Sequence, residues 1–297
     1  MEQFEISYTK KYTSKEGVFS IIIPTWNNVE YLKICVESIR KNSTLKHQII
    51  VHVNEGKDET LAWLETQPDI DFTFSNENIG VCFALNACRS LVDTEYILYS
   101  NDDMYFCPFW DKFLYDEIVS IRHKYFVLSA TSIERKPQSI CSIEKNYGSG
   151  IENFDEALLL KEYASLPFKD WMGATYPPNI VHRDLWDIVG GYSVEFTPGW
   201  FSDQDFSIKL WEAGVRYFKG VSASRVYHFL NKTTGRTRKN RGYYKFIAKW
   251  RFTARTFTDI ILKRGQPFTG PATEPDNLNQ LKRNDFLKRV ETIFKKY

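Results

Sequence analysis

The sequence predicts an α/β fold with a mostly parallel sheet flanked by helices. In the first third of the chain, short apolar runs alternate with segments whose apolar residues recur at helical spacing. Alternating strands and helices favour parallel pairing, because each crossover helix returns the chain to the same end of the sheet. The chain has 297 residues, 43 % hydrophobic and 16 % aromatic, which is enough for a packed core and argues against disorder.

The elements can be placed in order along the chain. In the first hundred residues we predict strands over 18–23, 47–53, 71–74 and 95–100, and helices over 29–39, 59–66 and 81–92. Later come a helix over 109–124, a strand over 125–131, helices over 183–192 and 201–214, and short strands over 215–220 and 224–229. Residues 132–170 are polar and give no clear pattern, so we expect an insertion or a loop there.

Polar side chains follow each of the first four predicted strands. The clusters are Thr25, Trp26 and Asn27; Asn54, Glu55 and Asp58; Asn78 and Gly80; and Asn101, Asp102 and Asp103. Carboxyl ends of parallel strands share one edge of the sheet, where such folds bind ligands. A turn is expected at any strand end. Repeated carboxylates and amides are better explained by a shared polar ligand.

The stretch YILYSNDDMYF, residues 96–106, sets two adjacent carboxylates between apolar runs. Asp102 and Asp103 repel each other and resist burial. A solvated turn is one explanation, since Asn and Asp suit turns. The other is a divalent cation, which takes hard oxygen ligands that converge from a loop.

The sequence opens with polar residues of mixed charge and contains no run as long as a membrane span, so we expect a cytoplasmic protein. The five cysteines are odd in number and show no CxxC spacing. They are therefore predicted to be reduced and structural, and a zinc site is not expected.

Four motifs, in order, resemble one known family. FSIIIPTWNNVEYLKICVESI resembles the opening of family 2 glycosyltransferases of the GT-A fold, and NIGVCFALNACRS is similar to their Asn-x-Gly loop. YILYSNDD resembles their DxD region, in the form found in rhamnosyl- and galactosyltransferase-like members. GGYSVEFTPGWFSDQDFSIKLWEAG resembles their Gly-Gly-aromatic … Glu-Asp-x-Asp-Leu block. Each motif is weak alone, but the four together are specific.

The resemblance covers about residues 18–228 and implies a Rossmann-like GT-A catalytic domain over 1–230. The nucleotide-binding half would span about 18–106 and the acceptor half about 107–230. Residues 231–297 would form a basic, aromatic, helical C-terminal extension. The implied reaction is metal-dependent and inverting, and moves a sugar from a nucleoside diphosphate to a hydroxyl of a glycan or lipid-linked glycan.

The resemblance also implies a Mn²⁺ or Mg²⁺ cofactor, because a diphosphate leaves poorly until its charge is neutralised. Asp103 matches the last carboxylate of the DxD region and would bind the metal directly. Asn101 stands where many members have Asp and would offer a neutral oxygen. His228 lies where such enzymes often supply a third ligand, although a lone His at a strand end is often structural.

Asp203 aligns with the family's general base, which takes the proton of the acceptor hydroxyl. Its place at a helix N-terminus is expected to lower its pKa; the alternative is a plain N-cap. Asp205 matches the second acid of the motif and would support the acceptor. Ser202 replaces the usual first Glu, so the motif is incomplete. Residues 132–182 would build the acceptor site, with Trp171 as a stacking platform for a sugar.

The donor would be bound along the strand ends. The residues that match the family's donor site are Pro24, Thr25, Asn27, Asn54, Glu55, Asn78, Gly80 and Asp102. Asn54 replaces the Asp that usually contacts uracil, so UDP is the default and dTDP, GDP and CDP stay open, with Glu55 or Asp58 able to take over the contact. Beyond His228, Lys232 and Arg236 are candidates for pairing with the diphosphate.

The C-terminal extension is basic. From Lys232 to Arg264 there are eleven Lys and Arg residues and a single acid, Asp259. Residues 243–262 are predicted to form a basic amphipathic helix. Such a helix could lie on an anionic membrane surface, which would suit a lipid-linked acceptor and a peripheral position on the inner face of the membrane. Equally, it could pack on the catalytic domain. Nucleic-acid binding is not expected, because no nucleic-acid fold precedes it.

Two rival functions were weighed. A nucleotide-sugar pyrophosphorylase would need a Gly-rich phosphate loop after the first strand, and PTWNN has no glycine. The alternative is a non-catalytic module that binds a nucleotide sugar, a glycan or a membrane surface and retains the GT-A fold. Asn101 and Ser202 make that conceivable, whereas Asp103, Asp203 and His228 together argue against it.

Overall fold

The computed structural model describes residues 4–13, 16–230 and 241–294. Within these ranges the strands are β1 (Ile6–Thr9), β2 (Phe19–Trp26), β3 (His47–Asn54), β4 (Ile70–Ser75), β5 (Tyr96–Tyr99), β6 (Met104–Phe106), β7 (Phe126–Glu134), β8 (Ile143–Glu144), β9 (Trp171–Met172), β10 (Asn179–His182) and β11 (Tyr217–His228). The helices are α1 (Val29–Asn42), α2 (Thr60–Thr66), α3 (Gly80–Arg89), α4 (Trp110–Ile121), α5 (Glu156–Glu162), α6 (Arg183–Val189), α7 (Ser202–Glu212), α8 (Gly242–Trp250), α9 (Leu278–Asn284) and α10 (Phe286–Phe294).

The strands form one mixed sheet in the order β1-β4-β3-β2-β5-β10-β7-β11-β6, with β8 beside β7 and β9 beside β11. Strands β2 to β5 are parallel, as the alternation of strands and helices predicts. The chain steps from β2 to β3 and β4 on one side, and β5 pairs on the other. This change of direction is the switch point at which α/β sheets bind ligands beyond the carboxyl ends.

Helices cover both faces of the sheet, which confirms the predicted fold class. One buried cluster packs α1 and α4 on the sheet, with Leu32, Val36 and Leu114 at its centre. A second cluster on the opposite face joins α3, α6 and α7. All five cysteines are buried and unpaired, as expected for reduced structural thiols.

The second half of the sheet differs from the prediction. The two short strands predicted over 215–220 and 224–229 are one strand, β11, with an irregular register between Val221 and Arg225. Strands β1, β6, β8, β9 and β10 were not predicted. β10 pairs antiparallel with both β5 and β7 and so joins the two halves of the sheet. Strands of two to four residues carry too little periodicity to be found by pattern alone.

The C-terminal extension packs against α7. The prediction of a single helix over 243–262 is wrong. Helix α8 ends at Trp250, and the next residue, Arg251, adopts a left-handed conformation with φ of 69°. Phe246 and Phe257 are fully buried, and the ring of Phe257 lies 6.2 Å from that of Trp211 in α7. These aromatic side chains therefore fill a shared core. No helix among the described residues has the length and apolar character needed to cross a bilayer.

Candidate active site

The strand ends converge as the parallel sheet requires. Thr25, at the end of β2, donates a hydrogen bond of 2.6 Å from Oγ1 to Oδ2 of Asp102, which follows β5. Asn54, at the end of β3, donates from Nδ2 to the Thr25 carbonyl at 3.3 Å and accepts from the Ile79 amide at 2.9 Å. The side-chain nitrogen and the side-chain oxygen of Asn54 are thus both hydrogen-bonded, and the residue is buried. Asn54 therefore links the ends of β2 and β3 to the residue that precedes α3.

Asn27 and Glu55 form the outer rim of this edge. Both have positive φ, 48° and 63°, and Asn27 Nδ2 donates to Glu55 Oε2 at 3.1 Å. Pro24 lies two residues before the end of β2 and is half-buried. Asp58 accepts from the Val29 amide at 2.9 Å and so satisfies the start of α1. The Asp58 carboxylate therefore has a structural role at the start of α1, whereas Asn27 and Glu55 lie at the rim.

The loop at Asn78 and Gly80 connects this edge to the later half of the chain. Asn78 Oδ1 accepts from the Gly80 amide at 2.9 Å. Gly80 has φ of 75°, and a Cβ there would lie 2.7 Å from Thr197 Cγ2 and 2.8 Å from Pro198 Cα. Only glycine suits this conformation and this approach. The loop thus lies against the segment that leads into α7.

The two acids after β5 lie against a histidine. Asp102 and Asp103 are buried, and burial together with the charge of Asp103 raises the pKa of Asp102. Asp103 Oδ1 lies 3.3 Å from His228 Nε2, and Glu134 Oε1 lies 3.0 Å from His228 Nδ1. Burial alone would lower the pKa of His228, but the two carboxylates outweigh it and raise that pKa to about 10.

Asp103 and His228 fit a divalent cation. Ligands about 2.1 Å from a metal and at right angles to each other lie about 3 Å apart, close to the observed separation. A carboxylate on the far nitrogen, as Glu134 provides, is the usual support of a metal-binding histidine. Asn101 Oδ1 accepts from the Tyr99 hydroxyl at 3.0 Å. No group of three or more His, Cys, Asp or Glu side chains in the described ranges could hold a metal, so a cation would need further oxygens from its substrate.

Asp203 lies in the first turn of α7. The residue before the helix is Phe201, and no side chain caps it, so the N-cap alternative is wrong. The expected lowering of the pKa is also wrong: burial raises the pKa of Asp203 to about 7, while a hydrogen bond from Tyr192 lowers it in part. Lost hydration of the carboxylate outweighs the helix terminus. The Tyr192 hydroxyl lies 3.3 Å from Asp203 Oδ1.

Two tyrosines connect Asp203 to Asn101, which adjoins the acid pair after β5. The ring of Tyr192 lies edge-on to that of Tyr99, with centroids 5.9 Å apart. The hydroxyl of Tyr192 reaches Asp203, and that of Tyr99 reaches Asn101. Sequence reasoning missed both tyrosines, although Tyr192 stands in the Gly-Gly-aromatic motif. The structure thus places the acid pair and Asp203 in one site.

Two predicted acceptor residues are buried instead. Asp205 is fully buried, and its Oδ1 accepts from Trp250 Nε1 at 2.9 Å and pairs with Lys249 Nζ at 2.8 Å. Trp171 is 4 % exposed and donates to Thr131 Oγ1 at 3.0 Å. Its ring lies over Gly220, where a Cβ would come within 1.8 Å of it. Asp205 holds the extension and Trp171 fills the core, so neither faces an acceptor.

Tyr176 lies near Asp203 and contacts the C-terminal extension. Tyr176 accepts from Gln204 Nε2 at 3.1 Å and from Arg264 Nη1 at 2.5 Å. Arg264 belongs to the C-terminal extension and pairs with Asp259 at 2.8 Å. No local pattern pointed to Tyr176 or Arg264, because their contact joins residues 88 positions apart. The predicted diphosphate-pairing residues Lys232 and Arg236 lie outside the described residues.

Comparison with known families agrees with this geometry. Residues 20–164 match the model of the family described as Glycosyl transferase family 2. The matched segment is just under half of the chain. The matched segment contains the carboxyl ends of β2 to β5 and the acid pair, but it ends before Asp203 and His228. Among curated protein sequences, none matches this chain.

Solved structures show the same fold. A crystal structure of S. aureus TarS residues 1–349 has a TM-score of 0.53 at 16 % identity, over 71 % of this chain and 60 % of that one. A crystal structure of S. aureus TarS has a TM-score of 0.58 at 15 % identity, over 92 % of this chain and 43 % of that one. A crystal structure of TarS 1–349 in complex with UDP-GlcNAc has a TM-score of 0.56 at 14 % identity, over 78 % of this chain and 65 % of that one. The chain thus spans less than two thirds of each TarS chain, and the likeness establishes a GT-A fold.

Proposed function

We propose that the chain is an inverting glycosyltransferase that moves a sugar from a nucleoside diphosphate to a hydroxyl of a glycan or lipid-linked glycan. The observation that carries the proposal is the connection from Asn101, which adjoins the acid pair, through Tyr99 and Tyr192 to Asp203. It brings the Asp203 carboxylate near the candidate cation site at the carboxyl end of β5. The match to the family 2 model and the GT-A fold support the same reaction class.

Asp103 and His228 would hold a Mn²⁺ or Mg²⁺ ion, with Glu134 fixing the imidazole and Asn101 as a neutral oxygen nearby. When bound, such an ion neutralises negative charge on the leaving diphosphate. The chain's own contribution is to bury the two acids and to hold His228 between carboxylates. That arrangement keeps the imidazole oriented before the donor arrives.

Asp203 would act as the general base. The acceptor oxygen forms the new bond to the anomeric carbon, the bond from that carbon to the diphosphate breaks, and the acceptor proton passes to the carboxylate. A pKa of about 7 suits this step, since a base works best when its pKa lies near the working pH. Attack from the face opposite the leaving group gives inversion.

UDP is the favoured nucleotide, with dTDP, GDP and CDP as the other candidates. Asn27 and Glu55 stand at the rim where a base would lie, whereas Asn54 is occupied by the fold. The complex of TarS with UDP-GlcNAc supports a uridine donor for a related fold. Melting temperatures with each nucleotide, with and without Mn²⁺, would identify the base, because a ligand that binds only the folded state raises the melting temperature.

We propose a cytoplasmic location, with peripheral contact to an anionic membrane surface. The basic balance of residues 232–264 supports this. Exposed Phe286 and Leu287 at the start of α10 add apolar side chains that could enter an interface. Buried Phe246 and Phe257 do not contribute. Binding to vesicles of phosphatidylglycerol, compared with phosphatidylcholine alone, tests the contact.

The decisive experiment is hydrolysis or transfer from a panel of nucleotide sugars with Mn²⁺. Asp203→Asn should lower the rate by about 10²–10⁴-fold and leave the nucleotide-induced rise in melting temperature intact. Asp187→Asn, a surface acid paired with Arg89, is the matched control and should keep the rate. Loss of nucleotide binding in Asp203→Asn would contradict the base assignment. Metal-dependent binding without turnover by the wild type would favour a binding module.

A further inference from the structure

The backbone that carries Tyr192 is fixed on both sides. It follows Gly190 and Gly191, which have φ of 70° and 61° after α6. Asn86 donates to the Tyr192 carbonyl at 2.8 Å and accepts from the Tyr192 amide at 2.9 Å. A Cβ on Gly191 would lie 2.4 Å from Asn86 Oδ1 and 2.7 Å from Trp186 Nε1. This turn therefore holds Tyr192 in one place.

The ring of Tyr192 is equally constrained. It is 1 % exposed and stacks on Phe206 of α7 with centroids 4.5 Å apart and an angle of 13°. Trp186 lies 5.5 Å away on another side, and Tyr99 lies 5.9 Å away, edge-on. A ring packed by three aromatic neighbours cannot swing, so its hydroxyl has one position. That position is 3.3 Å from Asp203 Oδ1.

We propose that Tyr192 is a positioning residue for Asp203, whose Oδ1 it holds so that Oδ2 takes the proton of the acceptor hydroxyl. The inference rests on the proposed function and deepens it. Within 4–13, 16–230 and 241–294, no hydrogen bond to Asp203 Oδ2 is found, whereas Oδ1 has the Tyr192 hydroxyl. The Tyr192 hydroxyl thus fixes Oδ1, and Oδ2 can accept the proton of the acceptor hydroxyl. Anchoring a reactive group in this way reduces the entropy lost on reaching the transition state.

The groups that face Asp203 are neutral near pH 7. They are Tyr192 before α7, Tyr99 of β5, Tyr176 between β9 and β10, and Cys82 of α3. Burial raises the pKa of Asp203, and the Tyr192 hydroxyl opposes this by donating to the charged form. Removal of that hydroxyl should therefore raise the pKa of Asp203 further.

The test is Tyr192→Phe, which keeps the ring and removes the hydroxyl. The protein is labelled with ¹³C at aspartate carboxyls, and Asp203→Asn assigns the signal. We expect the pKa of Asp203 to rise by about 0.5–1 unit in Tyr192→Phe. The acid limb of the pH profile for UDP-GlcNAc hydrolysis with Mn²⁺ should move to higher pH by the same amount. The rate of hydrolysis at pH 7 should therefore fall by about two- to five-fold. Tyr217→Phe is the matched control, because its hydroxyl donates to Glu117 at 2.6 Å away from this site.

An unchanged Asp203 signal in Tyr192→Phe would overturn the inference. So would a shifted signal with an unshifted acid limb, because the hydrogen bond would then have no part in the reaction. An equal shift in Tyr217→Phe would assign the effect to general loosening and would also overturn it. Absence of wild-type hydrolysis, across all nucleotide sugars, contradicts the proposed function instead, and the carboxyl titration tests the hydrogen bond by itself.

Discussion

Replacing Lys249 by methionine should destabilise the folded protein by about 2–3 kcal/mol. Lys249 Nζ lies 2.8 Å from Asp205 Oδ1, and Asp205 is fully buried. At that distance two unit charges attract by about 6 kcal/mol for an effective dielectric constant of 20. The Lys249 side chain is 30 % exposed, so water recovers part of this energy. The remainder lies just below the 3–5 kcal/mol that is typical when a buried pair loses one partner.

Urea unfolding and thermal melting measure the effect, and we expect the melting temperature to fall by about 4–10 °C. Adding Asp205→Asn should restore more than half of the lost stability, because no charge then stays buried while Trp250 can still donate to the side chain. Glu195→Gln is the control, since this exposed partner of Lys249 contributes about 0–1 kcal/mol. A Lys249→Met protein within about 0.5 kcal/mol of wild type would refute the reasoning. A double variant less stable than Lys249→Met would do so too.

Three further outcomes follow from the site and the sheet. Asp103→Ala should abolish the Mn²⁺-dependent part of UDP binding in calorimetry, and an unchanged affinity with Mn²⁺ would remove Asp103 from the metal site. Glu134→Gln should weaken Mn²⁺ binding by about 10–100-fold through loss of support for His228, while a Kd equal to that of the wild type would show that Glu134 is not needed. Gly220→Ala should lower the melting temperature sharply, because its Cβ would meet the Trp171 ring at 1.8 Å; a normal melting curve would show that the ring can move.

The polar carboxyl edge of β2, β3 and β5 could be predicted because its signals are local. Apolar runs and helical spacing placed β2, α1 and β3 to within a few residues, and parallel pairing then put their carboxyl ends together. The contact between Thr25 and Asp102 follows from that pairing. Residue types at strand ends were therefore enough to indicate one shared polar site.

The partners across the sheet could not be predicted in this way. His228 meets Glu134 only because β11 runs parallel to β7, with Tyr227 opposite Ile133. Asp205 was misread because a motif match carries no information on burial. The pKa of Asp203 was misjudged for a related reason: the helix terminus is a local feature, whereas desolvation depends on everything that packs around the carboxylate.

The place of β10 in the sheet has a consequence for synthesis of the chain. A chain is made from its N-terminus, and β2 to β5 can pair as they emerge. β7 cannot join them until residues 179–182 arrive, because β10 lies between β5 and β7. Until then the edges of β5 and β7 stay unpaired, which invites association with other chains. Folding should thus proceed in two stages, and any truncation before residue 179, including one at the end of the matched family segment, should yield an aggregating protein.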